Sequence, residues 1–330
     1  MLLFQVDDDT YDYVHLFSLT AQDGWSYQIM VPALLEAYQA ATQGRELVPV
    51  PPSSTYGDFC LEQSRRDTTA VEAFWREGLA GLRSPAPSIT LPPEQRITDH
   101  VTPLLQESLQ IPPETVAGLA ALSKAHGLSV NSVVHGAWAM MLSAITGAPD
   151  VVCGAVFSGR GTTAVDVDQA SGLMFNILPV VARVDPAAPL LPWLAEVQTR
   201  ISGITDHEYI SPAALYGITG LPTDEPLFES YLVSENLPGM TGNLEQFISL
   251  LGAMPVQILA QTDHPLRVEI AIAGDFMQIS LNHRSGYFPA GAAAGWLREY
   301  VRMLGIIVTD PGRTVGGYLP DLSAAPAGAA

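Results

Sequence analysis

Short apolar runs separated by polar clusters open the chain, and this spacing predicts a hairpin of strands over residues 2–6 and 13–19, divided by Asp7-Asp8-Asp9-Thr10. The second run leads through Ser18-Leu19-Thr20-Ala21-Gln22-Asp23-Gly24-Trp25-Ser26 into a helix predicted over residues 25–41. Its Ile29, Leu34, Leu35 and Tyr38 recur at helical spacing, and Pro32 predicts a kink. At that junction Gly24 is expected to supply backbone freedom, and Asp23 or Ser26 to accept from the open amides of the first turn. A Pro-rich connection over 48–54 precedes Tyr56-Gly57-Asp58-Phe59, which opens a helical pair with an apolar stripe of Phe74, Trp75, Leu79 and Leu82. After a loop over 84–95, residues 101–109 are read as a strand. Pro112-Pro113-Glu114 then starts a helix that buries Val116, Leu119, Ala120 and Leu122 and ends at Gly127. Ser129 caps the next helix, whose Val134, Trp138, Met141 and Ile145 recur at spacings of three and four until Gly147-Ala148-Pro149 stops it. Further on, the pattern predicts strands over 151–157, 173–184 and 228–234, a polar loop over 161–170, and an amphipathic helix over 190–204. A turn over 239–243, a hairpin of 268–273 and 276–281 across Gly274-Asp275, a closing helix over 290–306 and a small-residue tail over 323–330 complete the chain. No internal repeat is present, and the mixture of strands and helices predicts layered α/β structure.

Composition narrows the partners more than the fold. With 330 residues and 48% hydrophobic content, the chain can bury one large core or two moderate ones. Thirty-four acidic against fifteen basic residues give a net charge of -19, which argues against nucleic acid or an anionic membrane as partner. Cys60 and Cys153 make neither a disulfide framework nor a zinc pattern, and no metal is expected. The start of the chain lacks the basic and apolar regions of a signal peptide, and no apolar run is long enough to span a bilayer, so a cytoplasmic setting is expected. No nucleotide-binding glycine pattern or lipase-type elbow appears.

Three stretches carry a resemblance: Ser18 to Ser26, Asp150-Val151-Val152-Cys153-Gly154-Ala155-Val156-Phe157-Ser158-Gly159-Arg160, and Gly172-Leu173-Met174-Phe175-Asn176-Ile177-Leu178-Pro179. Together they resemble the condensation domains of nonribosomal peptide synthetases. Tyr56-Gly57-Asp58-Phe59, Phe74-Trp75 ahead of a Pro-rich loop, and Glu235-Asn236-Leu237-Pro238 extend the similarity. The resemblance implies a chloramphenicol-acetyltransferase-like α/β fold of two lobes with a tunnel between them. Set against that family, residues 1–100 read as an incomplete remnant of the first lobe, 101–322 as a complete second lobe and 323–330 as a flexible tail. A second copy or another chain is expected to complete the first lobe. The family's motif of two histidines, three variable residues and Asp-Gly falls with its histidine positions at Ser18 and Leu19, so neither imidazole is present. Asp23 and Arg160 match the family's structural pair, and Gly24, Gly172 and Asn176 match its framework; Leu19 stands where the second histidine would be.

Candidate chemistry is correspondingly thin. Ser18 and Ser158 offer hydroxyls to an incoming amine or an oxyanion. Cys153 offers a thiol acceptor, although strand alternation points it away from Ser158 and Arg160. His15 shares the predicted strand face of Leu19 but stands four residues, about 13 Å, upstream, too far for a direct substitution. His135 falls on a core helix, His126 stands at a helix end where it favours the dipole, and His207, His264 and His283 fall in poorly specified places, with His283 on a strand the one to watch. The resemblance implies a divergent, stand-alone condensing enzyme that joins an acyl group on the phosphopantetheine arm of a carrier protein to a small-molecule amine, with no cofactor of its own. The coupling of an amino acid to an amino sugar in lincosamide pathways is a comparable role. The alternative is a catalytically inactive docking platform that recruits a carrier protein or a tailoring enzyme. Arg65, Arg66 and Arg76 are the expected carrier-docking residues, because carriers are acidic.

Overall fold

The computed structural model describes residues 1–48, 51–80, 87–97, 104–235 and 264–320. Leu82, the expected boundary at residue 100, Asn236-Leu237-Pro238, the turn over 239–243 and the tail over 323–330 lie outside these residues. The described residues form two compact units. Met1–Arg66 and Ser158–Phe175 belong to the first, and the remaining described residues belong to the second. Chain order and unit therefore do not coincide: Ser158–Phe175 groups with the N-terminal residues, and Asp67 onward begins the second unit.

In the first unit β1 (Leu2–Asp7) and β2 (Thr10–Val14) pair antiparallel, with an irregularity between Gln5 and Asp7. The second strand stops at Val14 and does not continue to Leu19. Val14 already faces Leu2, the first residue of β1, so the residues beyond it have no partner in the hairpin. Instead the Ser18 carbonyl accepts from the amides of Ala21 and Gln22 at 2.9 and 3.2 Å, which turns the chain into α1 (Gly24–Thr42). Gly24 also departs from expectation. It is an ordinary first helical residue without positive φ, and a Cβ there would meet nothing, so the turn makes no demand for glycine. α2 (Tyr56–Ser64) follows, capped by a reciprocal Thr55–Asp58 arrangement. Its Phe59 packs with Val167, Ala170 and Met174 into the small core of this unit.

The second unit is built on a six-stranded mixed sheet. Its strands are β3 (Leu104–Gln110), β4 (Asp150–Phe157), β5 (Asn176–Arg183), β6 (Ser230–Glu235), β7 (Leu266–Ala273) and β8 (Phe276–Arg284), in the spatial order β3-β8-β7-β6-β4-β5. β6 runs parallel to both its neighbours, and the other pairs are antiparallel. Helices α4 (Pro113–His126), α5 (Val130–Thr146), α6 (Leu190–Asp206) and α8 (Ala292–Thr309) contribute to the larger core, where Trp138 meets Tyr300 edge-on at 5.4 Å. α5 is buried continuously from Ser132 to Leu142, as an apolar helix in the middle of a core must be. A second cluster gathers Trp75 of α3 (Thr69–Gly78), Leu215 of α7 (Pro212–Thr219) and Leu178 and Val180 of β5. The caps of α4 and α5 are those expected, with Gly127 and Gly147 both left-handed. No single described helix is long and apolar enough to cross a membrane.

Candidate functional site

The cluster worth chemical scrutiny is assembled within the first unit by the start of α1 and the Ser158–Phe175 segment. Asp23 is the N-cap of α1: its Oδ1 accepts from the Ser26 amide at 2.8 Å and the Ser26 hydroxyl at 2.7 Å, while its own amide donates to Ser26 Oγ at 3.3 Å. Its Oδ2 accepts from the Met174 amide at 3.2 Å and from Arg160 Nη2 at 3.3 Å. Arg160 spends its other terminal nitrogen on the carbonyls of Val167 and Ala170, at 2.5 and 3.1 Å. The ion pair is buried, with Arg160 5% and Asp23 2% exposed at their side chains. Trp25 lies under the guanidinium at 5.4 Å and donates its indole N–H to the Asp168 carbonyl at 3.0 Å. Ser26 Oγ meanwhile accepts from the Gly172 amide at 2.9 Å.

Two glycines in this segment are required by space. Gly159 has φ of +68°, and a Cβ there would lie 1.8 Å from the Met174 carbonyl oxygen. At Gly172 a Cβ would lie 2.3 Å from the Tyr56 ring. From α2, Glu62 accepts from the Thr163 hydroxyl and, at 3.1 Å, from the Ala164 amide. The segment is thus clasped by hydrogen bonds at both ends. Asp23 and Arg160 are consumed in holding it, and neither is placed to transfer a proton.

A profile of the Condensation domain matches residues 16–321. The chain belongs to the Condensation domain family. A linear gramicidin synthase protein of Brevibacillus parabrevis is 31% identical over 296 residues, which cover 89% of this chain and 4% of that protein. The chain therefore spans only a small part of such a relative. Among solved structures, the X-domain in complex with OxyB from teicoplanin biosynthesis has a TM-score of 0.74 at 20% identity, covering 92% of this chain and 68% of that one. The condensation domain of the Monacolin K polyketide synthase MokA has a TM-score of 0.72 at 15% identity, covering 89% of this chain and 69% of that one. The α/β architecture is accordingly the chloramphenicol-acetyltransferase-like fold of condensation domains.

Within this condensation domain the sequence-predicted residues are spread unevenly. Ser18 and Leu19 stand on the exposed turn after β2; the Ser18 hydroxyl bonds that of Thr20 at 2.8 Å, and Leu19 is 45% exposed. Ser158 is exposed just past the end of β4 and accepts from the Arg160 amide at 3.3 Å. Because β4 ends at Phe157, Ser158 and Arg160 are loop residues, outside the strand alternation used to orient them. Cys153 is a correction. It is buried in the large core of the second unit, and burial pushes its thiol up to about 12, so it is neither ionised at neutral pH nor reachable by a thioester. Asn176 belongs to the second unit and donates to the carbonyls of Glu208 and Ile210 at 3.2 and 2.7 Å, pinning the connection between α6 and α7.

Arg66 reaches Glu62 at 3.5 Å and Thr162 at 3.3 Å, Arg65 caps the end of α2, and Arg76 pairs with Glu72 along α3 at 3.7 Å. His135 donates its Nδ1–H to the Asn131 carbonyl at 2.9 Å in the core, and burial lowers its pKa to about 4. His207 stacks on Phe74 at 4.1 Å, and His264 on Phe228 at 4.9 Å. Among the described residues no group of three or more His, Cys, Asp or Glu side chains could hold a metal. Trp25 and Met174 were not legible as site residues, because their contacts join segments far apart in the chain. Ser26 was legible only as a capping residue.

Proposed function

We propose that this chain is a condensing domain that joins an acyl group, held as a thioester on the phosphopantetheine arm of a carrier protein, to an amine in a cytoplasmic natural-product pathway. The buried Asp23–Arg160 pair, closed at 3.3 Å although both motif histidines have been replaced, is the observation that supports this reading. A framework this heavily bonded keeps the turn that follows β2 and the start of α1 in place. A thioester is already activated and an unprotonated amine is a competent nucleophile, so much of the rate comes from placing the two together, not from a base at positions 18 and 19. The exposed hydroxyls of Ser18 and Ser158 serve as hydrogen-bonding groups for the amine or the developing oxyanion. The carrier docks through Arg65, Arg66 and Arg76 against the overall negative charge. An amino sugar is the acceptor class that extends the amino-acid-to-amino-sugar analogy.

A docking platform is the second reading. It is favoured by Leu19, which has no titratable atom, and by likeness to an X-domain whose structure is a complex with OxyB. Incubation of the purified protein with aminoacyl-loaded carrier and a panel of amines, amino sugars included, separates the two by mass spectrometry. A product with the mass of the amide and a carrier returned to its free thiol support condensation. Carrier binding in calorimetry with no acyl transfer to any acceptor supports the platform.

A further inference from the structure

β2 ends at Val14, so the strand spacing that set His15 about 13 Å from Leu19 does not hold beyond it. With the strand finished, the imidazole lies among three aromatic rings: Tyr13 at 6.4 Å, Phe17 at 5.1 Å and Tyr27 at 6.4 Å between centroids. Tyr27 follows Ser26 in the first turn of α1, so His15 stands beside the same helix start that carries Asp23. His15 is also the only histidine among the described residues of the first unit.

Two polar atoms in this cluster, the Tyr13 hydroxyl and His15 Nδ1, are enclosed without a hydrogen-bond partner. Their situation is unusual because the hairpin that carries Tyr13 and leads into His15 is otherwise exposed. Enclosed polar groups are ordinarily satisfied, and two left open in one cluster call for a ligand atom that donates to each. An amine nitrogen is such an atom. It gives one N–H to the imidazole Nδ1 and another to the tyrosine oxygen, and its lone pair stays free for the thioester carbon.

We infer that His15, flanked by Tyr13 and Tyr27, receives the acceptor amine and takes its proton as the amide forms. The inference rests on the condensing function proposed above. In the step, the amine nitrogen bonds to the thioester carbonyl carbon and its proton passes to the imidazole. The carbon–sulfur bond then breaks, and the departing thiolate takes that proton from the imidazolium. One amide and one free thiol result, with no change of oxidation state.

The titratable groups facing His15 are the Met1 ammonium beside β2, the Tyr13 hydroxyl on β2 and the Tyr27 hydroxyl on α1; Phe17 carries no charge. Burial first, and the Met1 ammonium second, hold the imidazole below the usual histidine value, so it is unprotonated at neutral pH.

The test compares wild-type protein with His15→Gln and Tyr13→Phe, using alanyl-loaded carrier protein and glycinamide. His15→Gln is expected to lower kcat by about 10²-fold and to remove the acidic limb of the pH profile. Tyr13→Phe raises the KM for glycinamide more than it lowers kcat. A His15→Gln variant with wild-type kcat and an unchanged acidic limb overturns the assignment. A second arm needs no turnover: the NMR signal of ¹³C-labelled His15 is expected to move with glycinamide and not with propionamide. No movement, or equal movement with both, overturns the amine site. Wild-type protein that shifts this signal but forms no amide supports the amine site and counts against the condensing function.

Discussion

Asp23 takes hydrogen bonds from the Ser26 amide, the Ser26 hydroxyl, the Met174 amide and Arg160, and its neighbour in charge is almost wholly out of water. Such a pair is costly to break from one side only, because the surviving ion is left buried and uncompensated. Asp23→Ala is therefore expected to destabilise the first unit by about 3–5 kcal/mol, read from the urea midpoint. Arg160 and Asp23 were legible as partners through the family resemblance alone, since no periodicity links residues so far apart in the chain. Cys153 shows the converse. Strand alternation could not orient it against Ser158, which lies past the end of β4, and the depth of its burial, which settles its chemistry, depends on α5 and α8 packing over it. Leu19 marks a place where the pattern misled, because an apolar residue in an apolar run reads as strand, yet it stands on an exposed turn.

Most helices announced their ends. Ser129 and Gly147 bracket α5, and Pro113 and Gly127 bracket α4, each with the residue type that its backbone geometry requires. α7 carries the same marks, Ser211 accepting from Ala214, Pro212 in the first turn and left-handed Gly220 after the end, but it is short enough for its apolar stripe to go unnoticed. β2 was overextended because apolar side chains alone do not reveal where a partner strand runs out. The Ser158–Phe175 segment has no regular structure, so its shape rests on its glycines and on what they touch. Gly172→Ala drives a methyl group into the Tyr56 ring and is expected to cost about 1–3 kcal/mol. Tyr56→Ala in the same background should return part of that loss, and thermal melts of the two single variants and the double variant measure the coupling.

For the molecule taken whole, acid is the condition to which the packing is most exposed. His135 is fully buried and neutral, with a pKa near 4, whereas in the unfolded chain it titrates near 6.5. Between those values the unfolded state binds a proton that the folded state refuses, so stability falls as pH drops through that window. The loss from pH 7 to pH 5 is expected to be about 2 kcal/mol from this residue. His283, lowered chiefly by burial, adds a loss of the same sign. Urea titrations at the two pH values should show the difference in wild-type protein, and His135→Gln should remove the part that belongs to it.

The order of strands in the large sheet bears on how the protein is made. β3 lies at an edge, and its partner β8 is made after the other five strands of the sheet. At the centre, β6 cannot be completed until β7 arrives to run alongside it. During synthesis the early helices α4 and α5 must wait with their apolar faces uncovered, a period in which a chaperone has something to hold. Distant pairings of this kind are slow to close, and the yield of folded protein should respond to the pace of translation from β6 to β8.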